Sequence, residues 1–197
     1  MHIFKSSILR FILTLGMLCS SGQLLANPVY HVTIDTSSLA GQSGYLDFLF
    51  LGLTNAAPGQ ASLTNFSGNV DTSSFAYGEA SGSASTGVTI GNGAGWNEFG
   101  QWVHFGERFR FNVQFDVGPG PGAGSDLGIA LLDEQFAYLG SSGNIVTFSV
   151  QPGQDDQVSY ARDMVDVNTN AVPEPGSLPQ LAVGFLLLFC TVRRRLS

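Results

Sequence analysis

The 197-residue chain is short of three things: cysteine, basic residues and any long helical periodicity. Its two cysteines, Cys19 and Cys190, lie in apolar stretches near the two ends. The body between them therefore has no disulfide to staple it and no thiolate to act as nucleophile or metal ligand. Five of the eight basic residues (Lys5, Arg10, Arg193, Arg194 and Arg195) also sit at the ends. Residues 28–172 hold three arginines, no lysine and fourteen Asp or Glu, a formal charge of −11. So acidic a body repels phosphate backbones, which argues against nucleic acid as a partner.

Catalytic signatures are missing as well. There is no Gly-x-Ser-x-Gly elbow, His-Glu-x-x-His helix, Walker loop or Gly-x-Gly-x-x-Gly turn. The two histidines of the body, His31 and His104, have no second His or Cys at ligand spacing, so a zinc site is not expected. The run "GPGPG" has the glycines of a phosphate loop, but its prolines remove amide donors that a phosphate needs. The expectation is a non-enzymatic protein with no cofactor.

What the body does contain is strands and turns. In "RFRFNVQFDV" (108–117), Phe109, Phe111, Val113, Phe115 and Val117 alternate with Arg108, Arg110, Asn112, Gln114 and Asp116. Period two over ten residues predicts a strand with one face in a core and the other in water. "YHVTID" (30–35) and "IVTFSV" (145–150) are shorter strands of the same kind. "GYLDFLFLGL" (44–53) is apolar on both faces in its second half, which predicts a more central strand, and "QVSYARDMV" (157–165) reads as the last. Gly- and Pro-rich turns at 41–44, 57–60, 91–95, 118–126 and 141–144 separate these runs. "GEASGSASTG" (78–87) reads as a loop or a small-residue edge strand, and no internal repeat is present. The predicted fold is all-β, a β-sandwich or jelly-roll-like body over residues 27–170.

The two ends read as addresses. Residues 1–26 place Lys5 and Arg10 before the apolar stretch Phe11–Leu18, with small residues after it. This is the order of a secretory signal peptide, with cleavage favoured after Ala26 over Gly22. At the other end, "VPEPGSL" leads into an apolar run that ends at Val192, followed by Arg193, Arg194 and Arg195. Fifteen residues from Leu178 to Val192 rise about 22 Å as a helix, against a hydrocarbon core of about 30 Å. The segment suits a transient membrane stop, with the arginines held in the cytoplasm and the body outside. Pro173 and Pro175 keep the peptide before it extended, a shape that a processing enzyme's cleft accepts.

The three-part order of Val172-Pro173-Glu174-Pro175, apolar run and arginine triplet resembles the PEP-CTERM sorting signal of Gram-negative bacteria. The resemblance covers about residues 172–195 of a sorting segment read as 171–197, with Pro179, Gln180 and Cys190 as departures within the apolar run. It implies recognition by an exosortase, passage through the inner membrane, removal of the tail, and association with exopolysaccharide or biofilm at the surface. "LPQLA" (178–182) lacks the Thr and Gly of a sortase signal, and a lipid-anchor signal would not close on three arginines. The stretches "YHVTIDTSSLAGQSGYLDFLF" (30–50) and "GSDLGIALLDE" (124–134) resemble a group of PEP-CTERM proteins with no assigned activity.

Within the body, the most aromatic stretch is "GWNEFGQWVHFGE" (95–107). Trp96 and Trp102 are the candidate glycan contacts if they stand on the surface, although core filling is the ordinary fate of such rings. Glu98 and Glu107 flank Trp102 and are the acids a hydrolase or lyase reading would enlist. Asp155 and Asp156, adjacent on the Gly-containing turn "QPGQDDQ", are the weak candidates for calcium. The alternatives to a matrix protein are thus a secreted carbohydrate-binding module and, behind it, a polysaccharide hydrolase or lyase.

Overall fold

The computed structural model describes residues 27–93, 95–118 and 120–170. The segments expected to be a leader (1–26) and a sorting signal with an apolar helix (171–197), including Val172–Pro175 and Arg193–Arg195, lie outside the described residues. Among the described residues no helix is long and apolar enough to cross a membrane.

In chain order the strands are β1 (Val29–Asp35), β2 (Ser43–Gly52), β3 (Gly59–Ser67), β4 (Val70–Tyr77), β5 (Ala80–Ser83), β6 (Gly87–Gly91), β7 (Glu98–His104), β8 (Arg108–Val117), β9 (Ser125–Leu132), β10 (Val146–Val150), β11 (Gln157–Tyr160) and β12 (Val165–Asn170). A single turn of 3-10 helix, Ser37–Leu39, interrupts them. One sheet has the order β12-β1-β8-β3-β6-β5 and the other β11-β10-β9-β2-β7-β4. All the strand pairings within them are antiparallel.

The two sheets face each other in a β-sandwich-like arrangement whose core is largely phenylalanine. The alternation of β8 buries Phe109, Phe111, Val113 and Phe115 and leaves Arg108, Arg110, Gln114 and Asp116 exposed. Its rings meet those of the opposite sheet: Phe111 and Phe48 have centroids 5.2 Å apart, and Phe115 and Phe50 5.9 Å apart. Tyr30 of β1 reaches Phe148 of β10 at 5.0 Å. Each such side chain contributes about 1.5–3 kcal/mol on leaving water. All the strands among the described residues, their pairings and this core fall within residues 29–170, so the segment carries a core of its own and folds as a unit.

Two expectations from the sequence are corrected. The run 157–165 is not one strand: it stops at Tyr160, turns through Ala161–Met164, and restarts as β12 in the other sheet. The amide of Val165 donating to the carbonyl of Ala161 at 2.8 Å closes that turn. The stretch "NTNAV" (168–172) is small and polar, as a linker would be, but its residues 168–170 pair with β1 as an edge, with Asn170 opposite Val29. By contrast, the small-residue stretch after Gly78 does supply an edge strand, β5.

Candidate functional site

The outer face of the second sheet is built by register. Directly opposed residues of an antiparallel pair share a face. Here β2 and β7 oppose Tyr45 to Trp102, Asp47 to Gly100, and Leu49 to Glu98. On either side, β4 brings Phe75 opposite Gly100 and Tyr77 opposite Glu98, while β9 brings Ala130 opposite Asp47. The inner face of the same strands carries Leu46, Phe48, Phe50 and Phe99, all fully buried. Trp102 and Tyr45 are therefore fixed away from the core by the same alternation that fills it.

Four rings meet on this outer face. Tyr45 is central: Trp102 and Phe75 approach edge-on, with centroids at 4.9 and 5.1 Å, and Phe136 stacks on it at 5.1 Å with planes 5° apart. Phe75 depends on its edge strand being bent. The register of β4 shifts between Val70 and Ser74, and the buried amide of Gln101 donates to the carbonyls of Asp71 and Ser73 at 2.8 and 2.9 Å. Opposite Phe75, Gly100 gives the ring room: a Cβ there would lie 2.1 Å from the ring. Phe136 comes from the loop after β9, whose turn is fixed by Asp133 accepting from the amides of Gln135 and Ala137, both at 2.8 Å. Its φ of 61° is strained for a bulky side chain, so the loop holds the ring against a local preference.

Trp96, Tyr77 and Tyr138 are exposed; Tyr77 lies on β4 opposite Glu98, and Tyr138 bridges Leu132, which is opposed to Tyr45. The ordinary fate expected for the tryptophans, core filling, is thereby overturned: Trp96 is 57% exposed and Trp102 is half-buried on the outer face.

Among the rings lies an acid that sequence reasoning passed over. Asp47 is 6% exposed, and its Oδ1 has no hydrogen-bond partner. The group facing its carboxyl is a second acid, Glu98, whose Oε2 accepts the indole N–H of Trp96. Burial, then the negative charge of Glu98 and a hydrogen bond between the two carboxyls, push Asp47 up to about 8. Asp47 therefore keeps its proton at neutral pH. No arginine or lysine lies on any strand of this sheet.

The remaining candidates fall elsewhere. Glu107 is exposed in the turn after β7, at the opposite end of that strand from Glu98, and joins no other acid. Asp156, in the turn between β10 and β11, accepts the Tyr30 hydroxyl at 2.7 Å; burial raises its carboxyl, and Asp155 beside it adds to the rise. No third ligand joins Asp155 and Asp156, and among the described residues no three His, Cys, Asp or Glu converge on a point that could hold a metal. His31 bonds Asn112 at 2.7 Å and His104 bonds Ser43 at 2.8 Å, each on a strand surface. An open recess of about 620 Å³ lies among Gly52, Asn55, Glu79, Asn92 and Gly93. Asn92 spends its amide on Ala57, Ser125 and Gly59, and Glu79 accepts from Gly93, so these groups already brace the fold.

No family model, curated protein or solved structure matches the chain.

Proposed function

We propose that the chain is an exported, non-enzymatic protein of the cell envelope or extracellular matrix whose body holds polysaccharide on the outer face of its second sheet. The observation that carries this reading is the cluster of Tyr45, Phe75, Trp102 and Phe136 on the side of the sheet away from the core. Pyranose rings stack on such faces through their C–H bonds, and the polar edges of tyrosine and tryptophan take hydroxyls. The exported location rests on the leader and on the resemblance of Val172–Pro175 and Arg193–Arg195 to an exosortase signal.

The acids favour binding over hydrolysis. A glycosidase sets its two carboxyls about 5–5.5 Å apart, or about 6.5–9.5 Å apart, so that a sugar lies between them. Asp47 and Glu98 stand on the same face of one strand pair and Asp47 is buried, so the two do not flank an open cleft from opposite sides. The test incubates residues 27–170 with the exopolysaccharide of the producing cells and follows both co-sedimentation and new reducing ends. Retention without new reducing ends is expected. Steady release of oligosaccharides, lost in Glu98→Gln, would establish a hydrolase instead.

A further inference from the structure

Beside its aromatic rings, the outer face of the second sheet has two properties that ordinary sugar stacking does not call for. It has a carboxyl pair among the rings, and no lysine or arginine on any of its strands. Two acids in contact without a counter-charge oppose folding. Asp47 Oδ1, buried and without a partner, is an acceptor waiting for a donor. We infer that the Asp47–Glu98 pair, set among the rings of Tyr45, Phe75, Trp102 and Phe136, is the seat of the protonated amine of an amino-sugar polysaccharide.

The chemistry of the seat selects this ligand class. A primary ammonium has three N–H donors, enough to bond both carboxyls with one to spare. The negative faces of the surrounding rings attract it further. A hard metal ion would ask for six or more oxygens, and here two acids stand among carbon rings. Uronic or sulfated sugars would meet only negative charge, on a body whose formal charge over residues 28–172 is −11. The inference rests on the polysaccharide reading above and adds the charge of the sugar to it. Phe136 is the one ring of the four carried by a loop.

Because Asp47 carries a proton when the seat is empty, an incoming ammonium must displace it to solvent. The other titratable groups near this face leave that proton as the one to watch. Tyr77 and Asp71 stand on β4, with Asp71 already accepting from Ser73; His104 on β7 is engaged with Ser43; and Tyr45 stands on β2. On β9 the nearest acid is Asp126, opposite Leu51, and in the following loop Asp133 caps its own turn and Glu134 is exposed; β10 carries no acid or base.

Titration calorimetry of residues 27–170 against a glucosamine oligomer and its N-acetylated counterpart of equal length tests this directly. The amine form should bind about tenfold tighter, as a charge-assisted hydrogen bond with aromatic contact implies. Its binding should release a proton to the buffer, and both preferences should vanish in Asp47→Asn and in Glu98→Gln. Equal affinity for the two oligomers, unchanged by Asp47→Asn but lost in Trp102→Ala, would overturn the amine seat and leave the polysaccharide reading standing. Tighter amine binding that survives both acid variants and collapses with salt would also overturn it, as diffuse attraction to an acidic body. Binding of neither oligomer, together with no retention on native polysaccharide, would overturn both readings at once.

Discussion

Asp47 of β2 and Glu98 of β7 lie diagonally across one strand pair on the outside of the second sheet, and their carboxyls face each other among aromatic rings. A buried pair of like acids works against folding, and its signature is in the pH dependence. The folded pKa of Asp47 is raised from 3.8 to about 8. Between those values the folded chain keeps a proton that the unfolded chain has released, so stability falls as pH rises through the window. The slope approaches 1.4 kcal/mol per pH unit at most. Asp47→Asn keeps a donor towards Glu98 and removes the titration. Its melting temperature should approach the parent's only below about pH 4 and exceed it by several degrees at about pH 8 and above, where the lost repulsion is worth a few kcal/mol. Parallel melting curves for the two proteins across that range would mean that the acids are apart in solution.

The core alternation of β8 gives a second contrast. Phe111 is 1% exposed and packed on Phe48, whereas its neighbour Asn112 faces outward to His31. Phe111→Asp buries an unpaired carboxylate at a cost of several kcal/mol, comparable with a whole domain's stability of about 5–15 kcal/mol. Asn112→Asp retains an acceptor for the imidazole and should cost less than about 1 kcal/mol. Thermal melts of the two variants should separate widely, and equal melts would refute the inward and outward assignment.

Gly100 tests whether the outer cluster is a built feature. A Cβ at this position would lie 2.1 Å from the Phe75 ring. Gly100→Val must push that ring away, at about 1–3 kcal/mol, and open the contact of Phe75 with Tyr45. Polysaccharide retention should drop while far-ultraviolet circular dichroism stays that of a β protein. Full retention in this variant would place the binding surface elsewhere.

Processing of the tail is a question of mass. The order of Val172–Pro175, apolar run and Arg193–Arg195 predicts that protein recovered from the culture lacks everything from about Pro175 onward. Intact-mass measurement checks it, and full-length chain in the medium still ending in Arg193–Ser197 would contradict it.

These residues also show what a sequence displays and what it hides. The strand of residues 108–117 was legible to its ends because strict alternation over ten residues has one physical solution. The strand of residues 165–170 was hidden because it is an edge: Asp166 and Asn168 belong on a solvated strand as readily as in a linker, and only pairing with β1 decides between them. The strands of residues 59–67, 70–77 and 80–83 are rich in Ser, Thr and Gly, which carry little hydrophobic pattern. Of the site, Trp96, Trp102 and Glu98 could be named from one aromatic stretch. Tyr45, Phe75 and Phe136 come from three distant segments and meet only through strand register. Asp47 did leave a trace: it is the lone acid in "GYLDFLFLGL", a run otherwise apolar on both faces.

The central claim is that the rings outside the second sheet hold polysaccharide, and retention on immobilised exopolysaccharide from the producing cells measures it most directly. Residues 27–170 would be compared with Trp102→Ala, Phe136→Ala and, as a control on the outer face of the other sheet, Arg110→Ala, each checked for an unchanged fold. Loss of one stacking ring at about 0.5–1.5 kcal/mol corresponds to a several-fold fall in affinity. The account predicts that fall in both ring variants and parental retention in Arg110→Ala. Parental retention in Trp102→Ala and Phe136→Ala together would contradict it.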